Sequence, residues 1–293
     1  MAAGIGALFV VVIAALLAGR SFAASSRPSP PAGSATSGPG QPGAETSPGG
    51  DWTLGACIDP TLSLIPSFAT GIRADLTQAV GRLAPPSAPV RTSAPPGQPV
   101  SPPQAGIDLT IREVDTTSFS TTMAAYTREV RVPAVPGLTI SRPEPGSNDY
   151  ANRLRIWTQD YQTVAAARGA ARTAAARASD AIGSLPLDRN GSSAISACVS
   201  ALLVTVPSGG NHSYLLASDL QENIAPQLHG SFHGAPLYVV QGCDQGNGNE
   251  CAALLESFTK EMKKLDVGRV IPIRPENAAR AIGNWIRTGQ ATS

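Results

Sequence analysis

Three short clusters of hydroxyl and carboxylate side chains have the residue types of a cation site. They are the segments 59–63 (DPTLS), 191–193 (GSS) and 218–219 (SD) of the 293-residue chain. Carboxylate and hydroxyl oxygens, completed by water, form the hard, oxygen-only shell that Mg²⁺ or Mn²⁺ prefers. If folding brings the three clusters to one point, they predict a divalent-cation site.

The first cluster also has an ordinary structural interpretation. A D-x-T-x-S segment can form a turn in which Asp59 and Ser63 hydrogen-bond to the local backbone, and Pro60 stiffens the segment in either case. The pattern by itself does not separate the turn from the cation site. Convergence with the other two clusters would favour the cation site.

Alternating strand and helix patterns surround the clusters. Short apolar or alternating runs predict strands at 52–58, 106–114, 127–132, 213–217, 234–240 and 269–273. Apolar residues at helical spacing predict helices at 67–83, 148–182, 192–204, 249–265 and 276–287. Ser67 is the expected N-cap of the first helix.

This order of elements predicts a doubly wound, mostly parallel Rossmann-like α/β sheet with helices on both faces. The strand at 127–132 is expected to run antiparallel at one edge, because a turn-length segment joins it to the strand before it. Ligands of such sheets bind at the C-terminal ends of the strands. The clusters at 59–63 and 218–219 follow the first and the fourth strand, so both are expected at that edge.

With these motifs in this order, the sequence resembles the von Willebrand factor A (VWA) family. The metal-ion-dependent adhesion site of that family is built from a D-x-S-x-S motif, a Thr on a second loop and an Asp on a third. The segment 59–63 matches the first motif, with Thr61 in place of a Ser. GSSAISACVSAL at 191–202 is similar to the family's Gly-Thr-x-apolar helix start, and YLLASDLQEN at 214–223 is similar to the strand and loop that supply the last Asp.

The resemblance covers residues 52–286, including the antiparallel edge strand, and it implies a VWA-like adhesion site. The residues that it implies as ligands of Mg²⁺ or Mn²⁺ are Asp59, Thr61, Ser63, Ser192 and Asp219. One coordination position would stay open for an Asp or Glu carboxylate of a protein partner. The implied function is an extracytoplasmic binding or adhesion module.

Two other functions are compatible with the same fold. One is a metal-independent structural or assembly module of a cell-envelope complex, which would dock through helix faces or through the stripe of Arg168, Arg172 and Arg177. The other is a hydrolase with Ser63 or Ser218 as its nucleophile. No catalytic residue is predicted, because the sequence has neither a G-x-S-x-G elbow nor a G-x-x-x-x-G-K phosphate loop.

The four cysteines predict one disulfide. Cys243 and Cys251 flank the Gly/Asn-rich segment DQGNGNE, and in an oxidising compartment that short loop favours a bridge between them. Cys57 and Cys198 fall in a predicted strand and a predicted helix. There they are expected as small core hydrophobes, with a second bridge as the alternative.

The N-terminal part of the chain predicts export. Residues 1–19 are uncharged and apolar, which predicts a signal peptide or an N-terminal membrane anchor at 1–23. Residues 24–50 form a Pro-, Gly- and Ser-rich linker expected to be disordered, and 51–288 form the α/β domain, with a Pro-rich surface loop at 84–104. The formal net charge is +1, so no nucleic-acid partner is expected.

Overall fold

Strands and helices alternate along the described part of the chain. The computed structural model describes residues 51–61, 64–94, 98–114, 125–188, 193–206, 210–222, 228–242 and 248–291. Its strands are β1 (Trp52–Ile58), β2 (Ile107–Glu113), β3 (Thr127–Val132), β4 (Asn211–Ser218), β5 (Pro236–Gln241) and β6 (Arg269–Ile273). Its α-helices are α1 (Pro66–Gly81), α2 (Tyr150–Gly183), α3 (Ile195–Thr205), α4 (Gly248–Lys263) and α5 (Ala278–Thr288).

The six strands form one sheet in the order β3-β2-β1-β4-β5-β6. Strands β2, β1, β4, β5 and β6 run parallel, and β3 pairs antiparallel with β2 at one edge. The predicted α/β class, with a mostly parallel sheet and one antiparallel edge strand, is confirmed. The central strands β1 and β4 are almost entirely buried because helices cover both faces of the sheet.

Two apolar cores lie on opposite faces of the sheet. Helices α1, α2 and α5 pack on the face that carries Leu54 and Ile58 of β1. Helices α3 and α4 pack on the face that carries Cys57 of β1 and Leu216 of β4. The alternation of side chains along β1 is the period of two that an extended strand imposes.

Helix α1 begins differently from the prediction. Its N-cap position is Ile65, without a side-chain cap, and Pro66 occupies the first turn. Ser67, the predicted cap, therefore lies inside the helix. Proline suits the first helical position because its fixed φ matches the helix and its missing N–H has no acceptor there, so the helix starts without a polar cap.

A disulfide joins Cys57 of β1 to Cys198 of α3, with 6.2 Å between their Cα atoms. Both residues are fully buried, as expected, but the expectation of two unpaired thiols was wrong and the alternative of a bridge is correct. Cys251 is also disulfide-bonded, whereas Cys243, its predicted partner, lies outside the described residues. Disulfides persist in oxidising compartments, so the Cys57–Cys198 bridge indicates an extracytoplasmic environment.

Part of the Arg stripe on α2 is engaged within the chain. Arg168 donates to the carbonyl oxygens of Pro86 and Ala88, at 2.9 and 3.3 Å. Arg172 donates to the carbonyls of Pro85 and Pro86, at 3.2 and 3.0 Å. These bonds hold the start of the Pro-rich segment against α2.

Within the described residues, none of the helices has the length and apolar character needed to cross a bilayer. The predicted signal peptide or anchor at 1–23 and the predicted linker at 24–50 lie outside the described residues.

Candidate functional site

The ends of β1 and β4 lie side by side at the C-terminal edge of the sheet. The two strands are parallel neighbours, with Ile58 in register with Ala217. One residue further on, the amide of Asp59 donates to the carbonyl of Ala217 at 2.9 Å. The sheet register therefore brings Asp59 next to Ser218 and Asp219, as the sequence predicts for strand ends in a parallel sheet.

Asp59 is the centre of a buried hydrogen-bond network. Its Oδ2 accepts hydrogen bonds from the hydroxyls of Ser218 and Ser193, at 2.7 and 3.0 Å. Its Oδ1 accepts one from the amide of Thr61, at 3.1 Å. Because Asp59 is 0% exposed, its carboxylate links the end of β4, the segment before α3 and its own loop away from bulk solvent.

Burial raises the pKa of the Asp59 carboxyl above its usual value. Hydrogen bonds from Ser218 and Thr61 offset part of this rise in pKa, and the negative charge of nearby Asp219 adds to it. Burial therefore makes ionisation of Asp59 less favourable than ionisation of an exposed carboxyl group. A cation next to the carboxylate would favour the ionised form, because opposite charges lower the pKa of an acid.

Asp219 lies in a tightly turned loop directly after β4. It is 3% exposed, and its Oδ1 accepts a hydrogen bond from the amide of Gln221 at 2.9 Å. Leu220 has a φ of 65°, in the left-handed region that non-glycine residues rarely adopt. The amide of Leu220 donates a hydrogen bond to the Ser218 hydroxyl at 2.9 Å. Together with the bond between Gln221 and Asp219, it holds the loop on both sides of Leu220.

The same loop holds the start of α3. One oxygen of the Glu222 carboxylate accepts hydrogen bonds from the amide of Ser196, at 2.9 Å, and from the Ser196 hydroxyl. A negative charge in the first turn of a helix is favourable because the amides there have no acceptor within the helix. The loop after β4 and the start of α3, which follows Ser193, are thereby joined.

Three of the five predicted ligands lie at this edge of the sheet: Asp59, Thr61 and Asp219 are all buried there. The other two, Ser63 and Ser192, lie outside the described residues. The ligand prediction did not include Ser193 and Ser218, although both contact Asp59. The sequence signal for them was present, because each adjoins a predicted ligand within a polar cluster.

The donor chemistry of the site fits a hard cation. Carboxylate and hydroxyl oxygens surround Asp59, and the described residues contain no group of three or more His, Cys, Asp or Glu side chains that could hold a metal. A carboxylate-rich or thiolate site is therefore not found among them. A hydroxyl-rich site of two carboxylates is the kind that Mg²⁺ or Mn²⁺ accepts, with water completing the shell.

A small apolar pocket adjoins the network. It has a volume of about 70 Å³, and Pro60, Thr61, Leu64, Ile65 and Leu187 line most of it. Ile65 is 58% exposed, so part of this aliphatic side chain faces solvent beside the pocket. The segment that follows β1 thus begins with the buried carboxylate of Asp59 and ends at the exposed apolar side chain of Ile65.

Comparisons of the chain with models of protein families, with curated proteins and with solved structures gave no match.

Proposed function

We propose that this chain is an extracytoplasmic VWA-like binding module. Its site at the C-terminal edge of the sheet would hold Mg²⁺ or Mn²⁺ and, through the cation, the carboxylate of a protein partner. The supporting observation is the buried network in which Asp59 bonds Ser193, Ser218 and Thr61 beside Asp219. Polar groups from three separate parts of the sequence meet there, as the family resemblance implies.

Asp59 acts in this proposal mainly by orienting hydroxyl groups. A serine hydroxyl has one proton and two lone pairs. Because the Ser193 hydroxyl donates a hydrogen bond to Asp59, its oxygen lone pairs remain available to a cation. Ser193 therefore joins the proposed ligands Asp59, Thr61, Ser63, Ser192 and Asp219.

The pocket beside the network offers a contact for the partner next to its carboxylate. Ile65 and the pocket wall are apolar, and Thr61 is shared between the pocket and the network. An aliphatic side chain that neighbours the partner's Asp or Glu would bury surface there, at about 25 cal/mol per Å² of apolar area. This contact would add selectivity to the cation-mediated contact.

The buried state of Ser218 argues against this residue as the nucleophile of the hydrolase alternative, whereas Ser63, the other candidate, lies outside the described residues. A nucleophilic serine must reach its substrate, whereas Ser218 is 0% exposed. The metal-independent assembly module remains the second candidate. It is favoured by the three hydrogen bonds that Thr61, Ser193 and Ser218 donate to Asp59, because these bonds stabilise the buried carboxylate without a cation.

Thermal unfolding of the full chain in Mg²⁺, in Mn²⁺ and in a chelator tests the proposal. A cation at about one hundred times its dissociation constant stabilises a one-site protein by about 2.7 kcal/mol. For a domain of this size that corresponds to a rise in Tm of roughly 5 to 10 °C. The chelator should remove the rise.

The variant Asp219→Asn should lose most of this cation-dependent rise. It keeps the oxygen that accepts the Gln221 amide but removes the charge. Asp51→Asn is the matched control, because Asp51 also accepts a backbone amide, that of Gly106, but at the opposite edge of the sheet. A Tm that does not respond to either cation would support the assembly module, and an equal rise in Asp219→Asn would contradict the ligand assignment.

The proposal includes the N-terminal segment only as a means of delivery. Residues 1–23 would either be removed as a signal peptide or remain as a membrane anchor, and 24–50 would act as a flexible spacer. Fractionation of the native producing cells, followed by N-terminal sequencing of the mature chain, distinguishes release from anchoring.

A further inference from the structure

The disulfide between Cys57 and Cys198 joins the two segments whose side chains meet at Asp59. Cys57 lies two residues before Asp59, on β1, and Cys198 lies five residues after Ser193, on α3. The hydroxyl of Ser193 then bonds Asp59 at 3.0 Å. The disulfide and this hydrogen bond therefore join the same two chain segments, 57–59 and 193–198, at both of their ends.

The buried face of helix α3 combines large aliphatic side chains, Ile195, Val199, Leu202 and Leu203, with a group of small ones. Five of its buried residues are small, and they are Ser196, Ala197, Cys198, Ser200 and Ala201. Small side chains offer shallow ridges and few contacts, so they allow a helix to slide more readily than interlocked large ones. Within this group of small residues, the bond from Cys198 to the central strand fixes the helix covalently.

We propose that the Cys57–Cys198 disulfide is a positioning element of the cation site. It holds the start of α3 in the place where the Ser193 hydroxyl reaches Asp59. Loss of the disulfide shifts α3 and weakens cation binding, while the sheet stays folded. The part of this inference that concerns cations rests on the proposed function, whereas the part that concerns the position of α3 does not.

The double variant Cys57→Ala with Cys198→Ala tests the inference in the full chain. Both positions are changed so that no lone thiol can exchange with the disulfide of Cys251. If the double alanine variant does not fold, Cys57→Val with Cys198→Ala restores volume and strand preference at β1. Each folded variant is compared at a temperature well below its own unfolding transition.

Val206→Ala is the control for lost stability alone. Val206 is buried in the same core as the disulfide but follows the far end of α3, away from Asp59. It should lower the Tm without moving Ser193. Any effect that the control shares with the cysteine variants reports general destabilisation and not positioning.

Two measurements give the outcome. Calorimetric titration with Mn²⁺ should show at least tenfold weaker binding in the cysteine variants and a change of less than twofold in Val206→Ala. Hydrogen exchange without cation should be at least tenfold faster at the amides of Ser196 and Thr61, which bond Glu222 and Asp59, while β5 keeps its protection.

The two measurements test the proposed function and the positioning role of the disulfide separately. If the unmodified chain binds no Mn²⁺, the proposed function is overturned, and exchange at Ser196 and Thr61 alone decides the positioning role. If exchange in the cysteine variants equals that of Val206→Ala, the positioning role is overturned even where cation binds. If exchange accelerates but Mn²⁺ affinity is unchanged, the disulfide positions α3 without serving the site, which also overturns the proposal.

Discussion

At the scale of single residues, Asp59 decides how the site behaves. It is fully buried, it accepts hydrogen bonds from three other residues, and burial raises its pKa. The sequence identified Asp59 because an acidic residue after an apolar strand is conspicuous. It did not single out Ser193, because neighbouring serines in a loop give the same sequence signal, and only the backbone path brings the Ser193 hydroxyl to Asp59.

The raised pKa of Asp59 predicts how stability without cation depends on pH. An acid whose pKa is higher in the folded chain stabilises the fold fully below its unfolded pKa, about 3.9, and loses that contribution as pH rises through the folded pKa. We therefore expect the free energy of unfolding, measured with urea and chelator, to receive a falling contribution from Asp59 above about pH 4. Mg²⁺ should reduce this fall, because a cation favours the carboxylate.

Asp59→Asn is the control for that titration. It keeps the size of the side chain and leaves Asp219, the acidic neighbour, in place. The difference in pH dependence between the two proteins isolates Asp59. Identical pH profiles would mean that Asp59 does not titrate with a raised pKa in the folded chain.

Gly242 lets the loop after β1 approach the end of β5. A Cβ atom at this position would clash with a methyl group of Leu64 and would lie 2.9 Å from the Phe68 ring. Gly242→Ala should therefore destabilise the chain by about 1 to 3 kcal/mol and weaken cation binding, because the displaced Leu64 follows the Thr61 loop. Urea unfolding and Mn²⁺ titration measure the two effects.

Gly71→Ala gives the opposite expectation and serves as the control for Gly242→Ala. A Cβ at Gly71 meets nothing within 4 Å, and the residue lies inside α1. The change should stabilise the chain by about 0.5 to 1 kcal/mol, because alanine is the better helix former. Equal effects of the two substitutions would refute the close approach at Gly242.

At the scale of the elements, the sequence predicted the sheet better than its connections. Apolar runs and helical spacing sufficed for the strands and helices, because burial on one face leaves a periodic pattern. The sequence predicted a bridge between Cys57 and Cys198 only as the alternative, since they are 141 residues apart and the packing of α3 on β1 brings them together. The prediction of Ser67 as the N-cap of α1 was wrong, because Pro66 can start a helix without a polar cap.

The bonds from α2 to the Pro-rich segment lead to an element-scale prediction. Prolines have carbonyl acceptors but no N–H donors, and Arg172 supplies two donors to Pro85 and Pro86. Arg172→Lys should lower the free energy of unfolding by about 1 kcal/mol, because one ammonium group cannot reproduce this planar pair of donors. Limited proteolysis should then cut within 84–104 faster than in the unmodified chain.

Arg177→Lys is the matched substitution on the same helix. Arg177 is exposed, and no hydrogen bond of its side chain is found within the described ranges. Its replacement should leave stability and the proteolysis rate unchanged. Faster cleavage in Arg177→Lys as well would show that general loss of arginine, and not the bonds to the prolines, opens the segment.

At the scale of the whole molecule, the disulfide closes a long loop of the chain. In the chain-entropy treatment, removing a bridge that spans 141 residues costs up to about 5 kcal/mol. The variant Cys57→Ala with Cys198→Ala should therefore melt roughly 10 to 20 °C lower than the unmodified chain. Differential scanning calorimetry measures this change in Tm. A change of less than about 2 °C would contradict the stabilising contribution of the bridge.

Strand β1 has a mechanical consequence for an anchored binding module. Its first residue, Trp52, follows the proposed spacer, and its last residue, Ile58, adjoins Asp59. A pull between the membrane and a bound partner would then run along this one strand of about 20 Å. Because β2 and β4 pair with β1 along its whole length, the load would act in shear across two rows of hydrogen bonds. The disulfide would pass part of that tension to α3, so the hydrogen bonds to β2 and β4 would not carry the whole load.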